Sequence, residues 1–187
     1  MNRTKAAIIE AFWQLLEEKS YSKITVKDIV GRCQINRNTF YYHFYDIPEL
    51  LEYTIKRDAD QIIQDNGNFG SPIDCIVPLV KHCLLHKNAL LHIYRSAQRE
   101  VFVNQLERMC LYFVTQYIET VVPDMILLSE DKELLIRFYK CLFTGVLLDW
   151  LEKGMDYDLF ASLNRIAELL GGTGKEAFLK ASEFAQQ

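Results

Sequence analysis

Apolar positions along this chain recur every three or four residues, the period of an α-helix, and no stretch of useful length alternates in the two-residue period of a strand. From about Arg3 to Lys19, Ile8, Phe12, Leu15 and Leu16 share one face, while Glu10, Gln14, Glu17 and Glu18 lie mostly elsewhere. Tyr21-Ser22-Lys23 links this first helix to a second. Thr25 is the natural N-cap of the second helix, Asp28 is its acidic first-turn partner, and Ile29 and Val30 face the core. In the turn Cys33-Gln34-Ile35-Asn36, small Cys33 lets two helices approach, Ile35 plugs the corner and Asn36 caps a third helix, which buries Phe40 and Phe44. Asp46 caps a fourth helix with Pro48 in its first turn, and Leu50, Leu51, Ile55, Ala59, Ile62 and Ile63 carry it to about Gln64. DNGNFGSP, residues 65–72, is the clearest break. Beyond it the pattern predicts helices near 72–86, 88–97, 99–122, 130–153, 156–170 and 174–185. Pro78 should kink or divide the first of these, and Pro123-Asp124, Lys153-Gly154 and Gly171-Gly172 supply stops.

The expected fold is therefore all-α. A three-helix head occupies residues 1–47, a helix at about 46–64 connects, and a larger helical domain occupies 65–187. Residues 134–151, LLIRFYKCLFTGVLLDWL, are apolar nearly all the way round, with only Arg137, Lys140, Thr144 and Asp149 interrupting. A helix on a monomer's surface shows a polar face. This one is either a central core helix, or is covered on one side by its own chain and on the other by a second copy. The second reading makes Phe138, Leu142, Gly145 and Val146, with Phe160 and Leu163 of the next helix, candidates for a four-helix homodimer interface.

Composition narrows the class. A chain of 187 residues, 50% hydrophobic with 4 Pro and 8 Gly, can bury a sizeable core. No run of 18 apolar residues is present, so no membrane partner is expected. The N-terminal stretch is interrupted by Glu10 and lacks a small-residue cleavage site, which argues against a signal peptide. Five scattered cysteines with no C-x-x-C pair suit reduced, mostly buried thiols of a cytoplasmic protein. The net charge of −4 is unevenly spread: residues 1–45 hold seven Lys/Arg against four acids, and the remainder is −7. A basic head on an acidic body directs a polyanion to one end.

Residues 25–44, TVKDIVGRCQINRNTFYYHF, carry the most chemistry. Two short helices joined by a tight turn form a helix-turn-helix, whose second helix lies in the DNA major groove and leads with its N-terminal residues. Arg37 can fork onto guanine or phosphate, Asn38 can pair bidentately with adenine, and Thr39 can offer its methyl to thymine or its hydroxyl to phosphate. Tyr42 and His43 would reach phosphates along the groove wall, which sets register rather than sequence. Lys27 is a further phosphate candidate, as are the positive N-termini of the second and fourth helices. Tyr41 has an alternative role as a core aromatic with its hydroxyl at the surface.

The segment ITVKDIV…INRNTFYYHFYDIPELL resembles the DNA-binding head of the tetracycline-repressor (TetR) family, with the matching pattern falling on Thr25, Val26, Asn36, Thr39, Phe40, Tyr41, Tyr42, His43 and Phe44. The resemblance covers about 60 residues. It implies an all-α homodimer that binds a double-stranded DNA operator and a small-molecule effector in its C-terminal domain. It places base contacts at Arg37, Asn38 and Thr39, and phosphate contacts at Thr25, Tyr41, Tyr42 and His43. Three positions depart from the pattern. Gln34 stands where the family often has Gly, Asn38 stands where Gly is frequent, and Ile47 replaces a lysine that usually opens the fourth helix. FYKCLFTGVLLDWLEKGMDYD is similar to a TetR subgroup, some of whose members regulate dihydroxyacetone-kinase operons.

Other signals fail. His82 and His86 share a helix face near Cys83 and His92 but lack the full ligand set of a metal site. GGTGKE, residues 171–176, has Leu169 and Glu176 where a phosphate loop needs Gly and Ser/Thr, and fits a helix stop followed by a new helix. Neither a metal nor a cofactor is expected, nor is an enzyme. Effector-pocket candidates are His86, His92, Tyr94, Tyr112, Tyr117 and Trp150. The expected function is a ligand-responsive repressor, homodimeric on a near-palindromic operator. The alternative is a helical interaction module that has lost operator binding.

Overall fold

A computed structural model describes residues 3–66, 71–121 and 128–169. Among these the architecture is all helical: α1 (Arg3–Glu18), α2 (Val26–Arg32), α3 (Arg37–His43), α4 (Ile47–Asp65), α5 (Val77–Leu85), α6 (Lys87–Tyr94), α7 (Arg99–Val121), α8 (Ser129–Glu152) and α9 (Leu159–Leu169). The expected helix at 174–185, the stops at Pro123-Asp124 and Gly171-Gly172 and the GGTGKE segment lie outside the described residues.

The chain divides into two compact units. One comprises residues 1–60 and 83–105, the other 61–82 and 106–187. In the first, α1 buries Ile8, Ile9, Phe12, Leu15 and Leu16 against the helix-turn-helix core of Ile29, Val30, Phe40 and Phe44. The start of α4 joins this core through Leu50, Leu51 and Ile55. The Trp13 indole N–H donates to Asp58 Oδ2 at 2.9 Å, tying α4 to α1. Helix α6 packs on α1 as well: Ala89, Leu90 and Ile93 are buried, and His92 Nδ1 donates to the Leu16 carbonyl at 2.7 Å.

In the second unit, Leu106, Cys110, Phe113, Val114 and Tyr117 of α7 are buried, as are Tyr139, Phe143, Leu147, Trp150 and Leu151 of α8. The Trp150 indole N–H donates to the Tyr157 carbonyl at 3.0 Å. Helix α8 stops in a Schellman turn. Met155 N–H donates to the Trp150 carbonyl at 2.8 Å and Gly154 N–H to the Leu151 carbonyl at 2.9 Å, with both residues left-handed.

One boundary falls as Pro78 predicts, and two differ from the sequence expectation. Pro78 falls at the second residue of α5, after a 3-10 segment over Pro72–Ile76, so the helix expected at 72–86 is divided there. Helix α6 ends at Tyr94, short of 97, because the Ser96 hydroxyl donates to the Ile93 carbonyl at 2.7 Å and accepts from Gln98 N–H at 3.0 Å. Helix α9 begins at Leu159 rather than 156, because Asp158 caps it by accepting from Ala161 N–H at 2.9 Å.

Candidate nucleic-acid interface

The helix-turn-helix is fixed by its caps. Thr25 Oγ1 accepts from Asp28 N–H at 3.2 Å and donates to Asp28 Oδ2 at 2.7 Å, and Asp28 Oδ2 also accepts from Thr25 N–H at 2.8 Å. These bonds, led by the Thr25 hydroxyl and followed by Lys19, pull the Asp28 carboxyl down to about 2. Asn36 caps α3 by accepting from Thr39 N–H at 2.8 Å and from the Thr39 hydroxyl at 3.0 Å. The turn closes with Ile35 N–H on the Val30 carbonyl at 3.1 Å, and Gln34 sits at φ 54. That left-handed position costs a side-chain-bearing residue about 1 kcal/mol. Ile35 is only half-buried, so the corner is plugged less completely than the sequence suggests.

With Phe40 and Phe44 buried, α3 turns its other residues outward. Arg37, Asn38, Tyr41 and Tyr42 are exposed, Tyr41 by 55% and Tyr42 by 82%, while Thr39 and His43 are half-buried. Tyr41 stands edge-on to Phe40 at 5.4 Å between centroids, so its ring rests on the core margin while most of its surface faces outward. Thr25 and Lys27 at the start of α2 are exposed too. Thr39 keeps its methyl and its oxygen lone pairs available, but its hydroxyl proton is held by Asn36.

Electrostatics sharpens this face. Two of the seven head cations are tied to acids: Lys19 to Asp28 at 2.9 Å, and Arg32, as a fork, to Glu18. Lys27 and Arg37 have no carboxylate partner among the described residues. The N-termini of α2 and α4, expected to face phosphate, each carry acidic cap residues. Asp28 occupies the first, and Asp46 Oδ1 accepts from Glu49 N–H at 2.8 Å while Glu49 Oε2 accepts from Tyr45 N–H at the second. A carboxylate thus stands at each of these ends, and its charge weakens the pull of both helix ends on a polyanion. Helix α3 alone of the three has no acid in its first turn. The Glu49 half of that cap was legible as Asp-x-x-Glu before an apolar run.

The family model for bacterial regulatory proteins of the tetR family matches residues 8–54, and that for a transcriptional regulator C-terminal region of TetR type matches residues 71–172. The chain belongs to the TetR family. The members of that family are DNA-binding transcriptional regulators, which are not enzymes. Among curated relatives it is similar to the HTH-type dhaKLM operon transcriptional activator DhaS of Lactococcus lactis subsp. lactis (strain IL1403), at 35% identity over 35% of each chain. It is also similar to the HTH-type transcriptional regulator YxbF of Bacillus subtilis (strain 168), at 39% identity over 37% of this chain and 19% of that one. The matched region thus spans about a third or less of these relatives. Among solved structures, the dihydroxyacetone kinase operon activator DhaS superposes with a TM-score of 0.70 at 16% identity, covering 100% of this chain and 96% of the other. The transcriptional regulator FadR from Bacillus subtilis, in complex with stearoyl-CoA, gives 0.59 at 19%, covering 88% and 96%. These likenesses show a shared TetR fold.

The body residues of this TetR-family chain fall into distinct groups. On α8, Leu134, Phe138, Cys141, Leu142, Gly145 and Asp149 are exposed along one stripe, while the opposite side is buried. Beside that stripe, Gly145, Val146, Asp149, Tyr157, Leu159, Ser162, Leu163 and Ile166 line a shallow groove of about 270 Å³ between α8 and α9. Phe160 is half-buried and Leu163 is already covered by its own chain. The six effector candidates do not line this groove. His86, His92 and Tyr94 lie in the unit with the head. There His86 stacks on Trp13 at 4.9 Å and Tyr94 is packed under Arg99. Tyr112, Tyr117 and Trp150 lie in the other unit, with Tyr117 and Trp150 fully buried. Of the thiols, Cys75, Cys83 and Cys110 are buried, and burial pushes Cys75 and Cys110 up to about 12. Cys141 is exposed.

Proposed function

We propose that the chain acts in the cytoplasm as a homodimeric, ligand-responsive repressor on a near-palindromic operator. The carrying observation is the outward display of Arg37, Asn38 and Tyr42 on a helix whose Phe40 is buried beneath them. Arg37, Asn38 and Thr39 meet base edges, while Lys27, Tyr41, Tyr42 and His43 hold phosphates, and Thr25 joins them by turning its hydroxyl proton from Asp28 to a phosphate oxygen. Each protomer supplies one such helix, so half-sites lie one DNA turn, roughly 34–36 Å, or a multiple of it, apart. Residues 1–47 serve as the head, and residues 65–187 provide dimerisation and effector binding. The exposed apolar stripe of α8 supports pairing through Phe138, Leu142, Gly145 and Val146, with Phe160 and Leu163 beside it. A small effector bound within residues 72–150 changes operator affinity only if it prefers one spacing of the two heads. FadR, solved with stearoyl-CoA, is a neighbour that binds such a molecule.

The name of DhaS favours a second reading, an activator. Footprinting on DNA upstream of the chain's own coding region tests operator binding, with two protected half-sites expected. Removing the protein then raises transcript from that region for a repressor and lowers it for an activator. If the folded protein gives no salt-sensitive, sequence-preferring protection, operator binding fails and the interaction-module reading takes its place.

A further inference from the structure

The corner between α3 and α4 is poor in positive charge where a duplex backbone would pass. Ile47 opens α4, and Asp46 and Glu49 cap it with two carboxylates. A cation from α1 stands beside this corner. The Lys5 ammonium lies 3.6 Å from the centroid of the Tyr53 ring and 5.0 Å from that of Phe44, the residue that ends α3. The two rings meet edge to face at 5.6 Å, forming two sides of a cage. Lys5 has no carboxylate partner among the described residues.

We propose that Lys5, held by Phe44 and Tyr53 next to the end of the recognition helix, is a DNA-phosphate contact that supplies the cation the first turn of α4 lacks. Two physical points support it. An ammonium on a ring face keeps its full charge and has directions free for hydrogen bonds to a phosphate oxygen, whereas a salt-bridged ammonium has its field cancelled. A lysine whose ammonium is already held over two rings has also lost much of its rotamer freedom before DNA arrives, so binding orders it at little further entropy. Lys19 and Arg32, closed on Asp28 and Glu18, fail the first condition.

This inference rests on the DNA-binding reading and is tested separately from it. The probe is a labelled mixed-sequence duplex titrated with the full chain by fluorescence anisotropy across a range of salt. The slope of log affinity against log salt counts phosphates neutralised, at about 0.9 per contact. Lys5→Met keeps an unbranched stem and removes the charge, and it should lower the slope by about 0.9 per bound protomer. Lys5→Arg should keep the wild-type slope. Lys153→Gln, in the body and already paired with Asp149, should leave the slope unchanged. Circular dichroism confirms that each variant is folded. A Lys5→Met slope equal to wild type, or a Lys5→Arg slope as low as that of Lys5→Met, overturns the assignment and leaves the cage a packing feature. A wild type that binds no duplex refutes the DNA-binding reading itself.

Discussion

Two of the described helices turn large rings away from the core, and they differ in what those rings carry at their tips. On α3, Tyr42 is 82% exposed and sits among Arg37, Asn38 and His43, so each projecting group ends in a donor. On α8, Phe138 is 58% exposed beside Leu134 and Leu142, and those projecting groups end in carbon. A phosphate-lined, hydrated groove rewards the first set, because every donor replaces a water contact with a base or phosphate contact. Only another apolar surface rewards the second. Exposure alone therefore does not identify a binding face; the chemistry at the exposed tips does.

The largest effect that would sharpen this contrast comes from α8. Leu142→Asp places a charge in the apolar stripe. It should yield monomers by analytical ultracentrifugation and lower operator affinity by roughly 100-fold, since each head then binds without its tethered partner. Unchanged sedimentation and affinity would break the assignment of α8 to self-association. On α3, Asn38→Ala removes a bidentate donor–acceptor pair and should cost about 1–3 kcal/mol at its base pair, with thermal stability unchanged because the side chain is exposed. Thr25→Ala dismantles the α2 cap and should cost about 1 kcal/mol of folding stability in denaturant titration. Gln34→Gly relieves the left-handed turn and should add up to about 1 kcal/mol in the same assay.

The α2 cap also has a pH signature. Asp28 titrates at about 2 when folded, below the ordinary aspartate value of about 3.9. Its contribution is thus complete above about pH 4 and is lost as pH falls through about 2. In Thr25→Ala the strongest bond holding Asp28 down is gone, so acid melting curves should depend less steeply on pH in that window.

The head was legible in the sequence because its signals are local. Thr25 with Asp28, Asn36 with Thr39, and Asp46 with Glu49 announce three helix starts within a few residues each, and Phe40 and Phe44 mark the buried side of α3. The same local reasoning stopped short on charge. It counted seven head cations, but the pairing of Arg32 with Glu18 spans fourteen residues, and Lys5 reaches Phe44 and Tyr53 from a different helix. Periodicity found α7 and α8 to within a residue or two of their ends, since both are long. It could not group the effector candidates: Tyr94 and Tyr117 look alike in sequence, yet they are buried in different compact units. Helix composition also does not say which flank of α8 its own chain covers; that depended on where α7 and α9 pack.

The most direct measurement places a photo-crosslinking benzoylphenylalanine at position 42 in one variant and at position 138 in another, then irradiates each with duplex DNA from the upstream region. Position 42 should crosslink to DNA and position 138 to a second protomer. Crosslinks from position 42 to protein alone, or none to DNA while wild type binds it, would contradict the placement of α3 in the groove.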